Sequence, residues 1–161
     1  MATTTKTGYC NGSDILLYVN DKPIGHCTTH TSTFNSETKD IAVKPVASKK
    51  ISSGLWKGKT VVGLSISIST EGLRFYNETE TGFKGLFKEW IKGKSVKLKC
   101  LERESSETPY LVGQFVITSL EESAPAQDNA TYSANFENDG EPETLDDSAI
   151  TENDESLSDH E

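Results

Sequence analysis

From Val62 to Ser69 the chain alternates strictly, with Val62, Leu64, Ile66 and Ile68 separated by Gly63, Ser65, Ser67 and Ser69. A period of two predicts a strand over 61–69 with its aliphatic face in a core. The opposite face is small, uncharged and polar. It suits either close approach to another surface or a smooth wall, and the plain alternative is a serine-rich surface strand. Residues 15–19 (Ile-Leu-Leu-Tyr-Val) form a short apolar run that ends in the turn cluster Asn20-Asp21-Lys22-Pro23. A threonine-rich strand over 24–34 completes a hairpin, and 41–46 reads as a third strand whose Pro45 confines it to an edge or a strand exit. Strands are also expected over 96–102, 110–120 and 130–136, where Thr131, Ser133 and Asn135 alternate with Tyr132, Ala134 and Phe136.

Only one stretch has helical periodicity. Phe83, Leu86, Phe87, Trp90 and Ile91 fall at i, i+3, i+4, i+7 and i+8, which predicts a helix over about 79–93 laid on a sheet by this stripe. Gly93 is its expected stop, and Thr79 or Thr81 its expected N-cap. The stretch over about 47–59 reads as a long inter-strand loop, polar but carrying Leu55 and Trp56. Loops of that length inside a compact domain are uncommon and usually functional. The fold class is therefore mainly β with one helix.

Charge divides the chain. All 16 basic residues lie between Lys6 and Arg103, and with the 11 acids up to residue 120 they give a net +5. The remainder holds 14 acids and no base, so the overall −9 conceals a mildly basic body and an acidic end. Such blocks mark solvated segments, and the expected division is a domain over 1–140 and a flexible acidic tail over 141–161. No run approaches the ~18 apolar residues of a membrane span. Met1 to Lys6 lacks the apolar stretch of a signal peptide. Three cysteines without a CxxC spacing predict free thiols in a reducing compartment.

Candidate chemistry is sparse. His26 and His30 of His-Cys-Thr-Thr-His would lie about 13 Å apart on a strand, with Cys27 on the other face, too far for a zinc site needing ligands within ~2.3 Å. No G-x-S-x-G, G-x-G-x-x-G or P-loop occurs, and neither an enzyme nor a cofactor is expected. The lysines are spread along the body rather than clustered with aromatics, which argues against a nucleic-acid-binding patch.

Over residues 8–140 the order of elements resembles the major tail tube proteins of long-tailed, non-contractile (siphovirus-type) bacteriophages. The resemblance runs through Gly12-Ser13-Asp14-Ile15-Leu16-Leu17-Tyr18-Val19, Ile24-Gly25, Ser36-Glu37-Thr38, the loop ending in Leu55-Trp56, the alternating strand, and the aromatic helix. It continues through Tyr110-Leu111-Val112-Gly113-Gln114-Phe115-Val116-Ile117-Thr118-Ser119-Leu120 and closes with Asp128-Asn129-Ala130-Thr131-Tyr132-Ser133-Ala134-Asn135-Phe136. Residues 141–161 lie outside it. The resemblance implies a β-sandwich or partial barrel with one flanking helix, assembled as hexameric rings stacked into a virion tail tube.

In that arrangement Gly63, Ser65, Ser67 and Ser69 are candidate lumen-facing residues, and Lys49, Lys50, Leu55 and Trp56 candidate inter-ring contacts. If each subunit lends four strands, 24 strands at ~4.8 Å spacing and ~45° tilt give a backbone diameter of roughly 50 Å. That leaves a bore of about 40 Å, through which double-stranded DNA passes without specific binding. Tail terminator and tail-tip or tape-measure proteins are the implied partners, with assembly in the bacterial host cytoplasm and no membrane insertion. The alternatives are the inner tube of a contractile tail or injection system, and a monomeric β-sandwich module binding a ligand such as a glycan.

Overall fold

The computed structural model describes residues 8–41, 57–76, 79–103 and 108–150. Its elements are β1 (Ile15–Val19), β2 (Lys22–Pro23), β3 (Cys27–Ile41), β4 (Gly58–Leu73), α1 (Phe83–Lys92), β5 (Val96–Glu102), β6 (Leu111–Ser123), β7 (Thr131–Asn138) and β8 (Thr144–Leu145). The strands form one antiparallel sheet in the order β2-β1-β5-β6-β7-β4-β3, with β8 added on β6.

The sheet folds over on itself because β6 serves two partners in succession. Its first half, up to Phe115, pairs with β5, and from Phe115 onward it pairs with β7. A register shift between Ile117 and Ser119 bends it between the two tasks. The layers β2-β1-β5 and β7-β4-β3 then face each other, and Ser32 of β3 hydrogen-bonds Cys100 of β5. This is the expected sandwich or partial barrel.

Alternation decides what lies between the layers. Leu17 and Val19 from β1, Val96, Leu98 and Cys100 from β5, and Phe115 and Ile117 from β6 meet Ile66, Ile68, Tyr132, Ala134 and Phe136 of the other layer. Burial pushes the Cys100 thiol up to about 11, and hydrogen bonds with Tyr110 and Ser32 only partly offset it. Gly72 makes room for Tyr132, whose hydroxyl donates to the Gly25 carbonyl at 2.8 Å. A Cβ at Gly72 would lie 2.7 Å from that hydroxyl oxygen.

The helix ends where expected, with Gly93 left-handed at φ 65° and its N–H bonded to the Trp90 carbonyl. Its start differs. Gly82 is the N-cap, and Thr81 is used elsewhere, its N–H donating to Pro23 O at 3.0 Å and its hydroxyl to Val19 O at 3.4 Å.

Two boundaries also move. The second strand begins at Cys27 and runs to Ile41, merging the expected strands over 24–34 and 41–46 as far as the described residues reach. The folded body extends beyond residue 140 into the expected tail. Thr144 and Leu145 pair with Val112 and Leu111, Asp146 N–H bonds Tyr110 O, and Ala149 is buried.

Candidate functional site

In antiparallel sheets directly paired residues share a face, so the register builds the outer surface of the β3-β4-β7-β6 layer residue by residue. Thr31, Thr33 and Asn35 lie opposite Ser69, Ser67 and Ser65, and Glu37 lies opposite Gly63. Ser67, Ser69 and Glu71 in turn face Glu137, Asn135 and Ser133. Asn135 and Ser133 face Ser119 and Glu121 on β6. Hydrogen bonds tie the columns together: Asn135 Nδ2 donates to Ser119 Oγ at 2.7 Å, Thr118 Oγ1 to Asn135 O at 3.2 Å, and Ser133 Oγ to Glu121 Oε2 at 3.3 Å.

The result is a low wall of mostly short polar side chains, four strands wide beside Ser67, Ser69 and Glu71, where Val116 next to Glu137 is its apolar member, and narrowing to the β3-β4 pair at Ser65 and Gly63. Its ionised groups are the carboxylates of Glu37, Glu71, Glu121 and Glu137, with no Lys or Arg among the residues just placed. Gly63, Ser65, Ser67 and Ser69 sit together in its second column. The sequence pattern marks these four residues and the alternation of Thr131, Ser133 and Asn135, but does not join them to Thr31, Thr33 and Asn35 across β4. The signal was present as threonine at every second position of β3, but the pairing that unites the strands is not a local property.

The other face of β4 corrects a second expectation. Ile66 and Ile68 are in the core, but Leu64, two residues before Ile66 on the same face, is 76% exposed, and Val62 is exposed too. β7 ends at Asn138, opposite the Ile66–Ser67 step, where Ile66 N–H donates to Asn138 Oδ1 at 2.9 Å. Beyond it, among the described residues, 35–41 and 58–65 pair only with each other, as a two-stranded ribbon. A register shift between Glu37 and Thr38 adds a bulge, and Asp40 and Lys59 form an ion pair at 3.7 Å.

The helix stripe is corrected likewise. Leu86 is buried and Phe83 packs partly against the core, whereas Phe87, Trp90 and Ile91 are exposed, Ile91 at 63%. Phe83, Phe87 and Trp90 instead form a ladder of stacked rings with centroids 5.8 and 6.1 Å apart, and the Arg74 guanidinium lies 5.1 Å from the Phe83 ring centroid. A ten-residue helix on this sheet seats one deep side chain, and the rest of its stripe overhangs.

Lys49, Lys50, Leu55 and Trp56 lie outside the described residues. His26 is not on a strand. It takes a left-handed conformation at φ 53° ahead of β3 and stacks on Phe75 with centroids 4.5 Å apart. Cys27 Sγ lies 3.2 Å from Thr70 Oγ1. No helix among the described residues is long and apolar enough to cross a membrane.

Comparison with curated proteins gives no match. Among solved structures, the chain is similar to the tail of an empty gene transfer agent particle refined with C6 symmetry. That likeness has 20% identity and a TM-score of 0.68, and covers 85% of this chain and 99% of the other. A native gene transfer agent virion chain is similar at 20% identity and TM-score 0.65, over 83% and 97%. A sheath/tube terminator of an extracellular contractile injection system shares the fold at 15% identity and TM-score 0.57, over 83% and 94%. A family model described as phage tail tube protein matches residues 9–144, so the chain belongs to the phage tail tube protein family.

Proposed function

We propose that six copies close into a ring whose inner wall is the polar β3-β4-β7-β6 face, and that rings stack into a tube through which duplex DNA passes. The observation that carries this reading is the wall itself, short side chains and carboxylates without Lys or Arg over residues 31–37 of β3, 63–71 of β4, 133–137 of β7 and 119–121 of β6, with Lys39, the next residue on this face, beyond the bulge toward the ribbon tip. Phosphate contacts from Lys and Arg dominate affinity for DNA. A translocation bore should lack them, and carboxylates on the wall repel a duplex that comes within the ~8–10 Å Debye length. Four strands from each of six copies make a ~24-stranded barrel ~50 Å across, wide enough for a duplex. C6 symmetry in the gene transfer agent tail supports the count.

The same reading makes the role structural rather than enzymatic. It places assembly in the host cytoplasm, where the free thiols of Cys10, Cys27 and Cys100 persist. It also assigns ring-to-ring contact to the loop bearing Lys49, Lys50, Leu55 and Trp56, and tube ends to terminator and tape-measure or tail-tip proteins.

Accessibility tests the wall. Ser69→Cys should react with a maleimide carrying a several-kilodalton polymer in the monomer and resist it in assembled tubes. Lys88→Cys, at an exposed helix position, should react in both. Equal labelling of Ser69→Cys in tubes and monomers would remove this face from the lumen.

A further inference from the structure

Among the described residues, the β3-β4 ribbon and helix α1 each expose an apolar surface. The first is the ribbon, where Phe34 and Leu64 carry the face of Ile66 past the end of β7, and Val61 and Val62 extend it toward the tip. The second is the overhanging face of α1, where Phe87, Trp90 and Ile91 stand at i, i+3 and i+4. They belong to different elements, one flat and one convex. At ~150–250 Å² for each aromatic side chain, Phe34, Phe87 and Trp90 alone expose on the order of 200–350 Å² at their half-exposed state. With the aliphatics included, both surfaces reach the size that marks interaction sites on soluble chains.

Cyclic closure of identical copies uses a heterologous contact, in which two different patches of one chain meet. A ring therefore needs a complementary pair of surfaces on each copy, and these two are apolar, distinct and exposed among the described residues. We propose that the β3-β4 ribbon of one subunit lies across helix α1 of its neighbour, with Phe34, Val61 and Leu64 against Phe87, Trp90 and Ile91, and that this contact closes the ring. The inference rests on the tube reading and names the surfaces by which copies join. The alternation at Val62 and Leu64 and the width of the aromatic stripe then have one explanation: each face is patterned for burial in a second copy of this chain.

Crosslinking tests it. A Leu64→Cys, Ile91→Cys chain carrying Cys10→Ser, oxidised after ring formation, should run on a non-reducing gel as a ladder up to the hexamer. Neither Leu64→Cys nor Ile91→Cys alone, in the same Cys10→Ser background that keeps Cys27 and Cys100, should give a ladder. A disulfide formed only within one chain, or rings that form without the ladder, would overturn the proposal while leaving the tube reading intact. Absence of rings from the wild-type chain would instead sink the tube reading. If the double variant fails to form rings, Leu64→Asp and Ile91→Asp decide. Each should keep the monomer's circular dichroism and cut the ring fraction at least about tenfold, the loss expected of an interface hot spot. Wild-type ring yield from either variant would end the proposal.

Discussion

The two halves of β4 share one sequence pattern and have opposite fates. Ile66 and Ile68, with Thr70 and Gly72 behind them, face a core closed by β5 and β6, and Ile66 is 7% exposed. Two residues earlier, Leu64 repeats the pattern and is 76% exposed, because β7 stops at Asn138 and no other described strand continues beside it. Alternation records that a face is built for burial. It does not record whether the chain itself or a second molecule supplies the cover.

Ile68 lies in the packed half of β4. Ile68→Ala should destabilise the monomer by about 3 kcal/mol, since it removes fully buried methyl groups and leaves a cavity. That corresponds to a fall of roughly 10 °C in the thermal midpoint. A loss below about 1 kcal/mol in denaturant melts would mean that the inner half is not the packed core described here.

Alkali should probe the same inner half through Cys100, which bonds Ser32, the residue paired with Ile68. The folded thiol titrates at about 11 instead of 9.0 because it is buried. Between those values the folded chain keeps a proton that the unfolded chain releases. Stability is therefore full below pH 9 and falls as the pH rises through 11, by about 2–3 kcal/mol. Tyr110, whose hydroxyl is also pushed up by burial, adds to the loss in the same direction. Cys100→Ala should flatten the urea-midpoint curve between pH 9 and 11, and an unchanged slope would contradict the burial of this thiol.

Much of this was legible in the sequence. β5 spans Val96–Glu102, the limits expected for it, because strict alternation of buried and half-buried residues runs its whole length. The helix stop at Gly93 was legible because only a left-handed residue fits there. Residues 35–41 (Asn-Ser-Glu-Thr-Lys-Asp-Ile) were harder to read, since they have weak strand propensity and are extended only because β4 pairs with them. The fate of Phe87, Trp90 and Ile91 was hidden for the same reason as that of Leu64: an apolar stripe does not name its partner. The segment from Thr144 to Ala149 reads as acidic tail, yet two paired residues and one buried alanine hold it to β6 and Tyr110.

Gly72 sharpens the comparison at the inner end of β4. Gly72→Ala sets a methyl group against the Tyr132 hydroxyl, which Gly25 holds in place. Displacing that ring should cost about 1–3 kcal/mol, the usual range for overpacking. Tyr132→Phe in the Gly72→Ala background should recover part of the loss by freeing the ring from its tether. If the double variant is no more stable than Gly72→Ala alone, the tether is not what makes the site rigid.

The smallest effect belongs to the outer half. Leu64→Ser changes an aliphatic on the same strand and the same face as Ile68, so pattern alone would rank the two substitutions together. In the monomer Leu64 is solvated and Ser36 opposite it is small and polar, so the serine removes little buried area. The expected change in unfolding free energy is within about 0.5 kcal/mol, as for other exposed positions. The contrast with Ile68→Ala should be several-fold in stability and should reverse in assembly, where Leu64→Ser weakens ring formation by a folded chain. A loss above about 1.5 kcal/mol for Leu64→Ser in dilute monomer would show that the chain covers its own ribbon, and the two halves of β4 would then differ in degree rather than in kind.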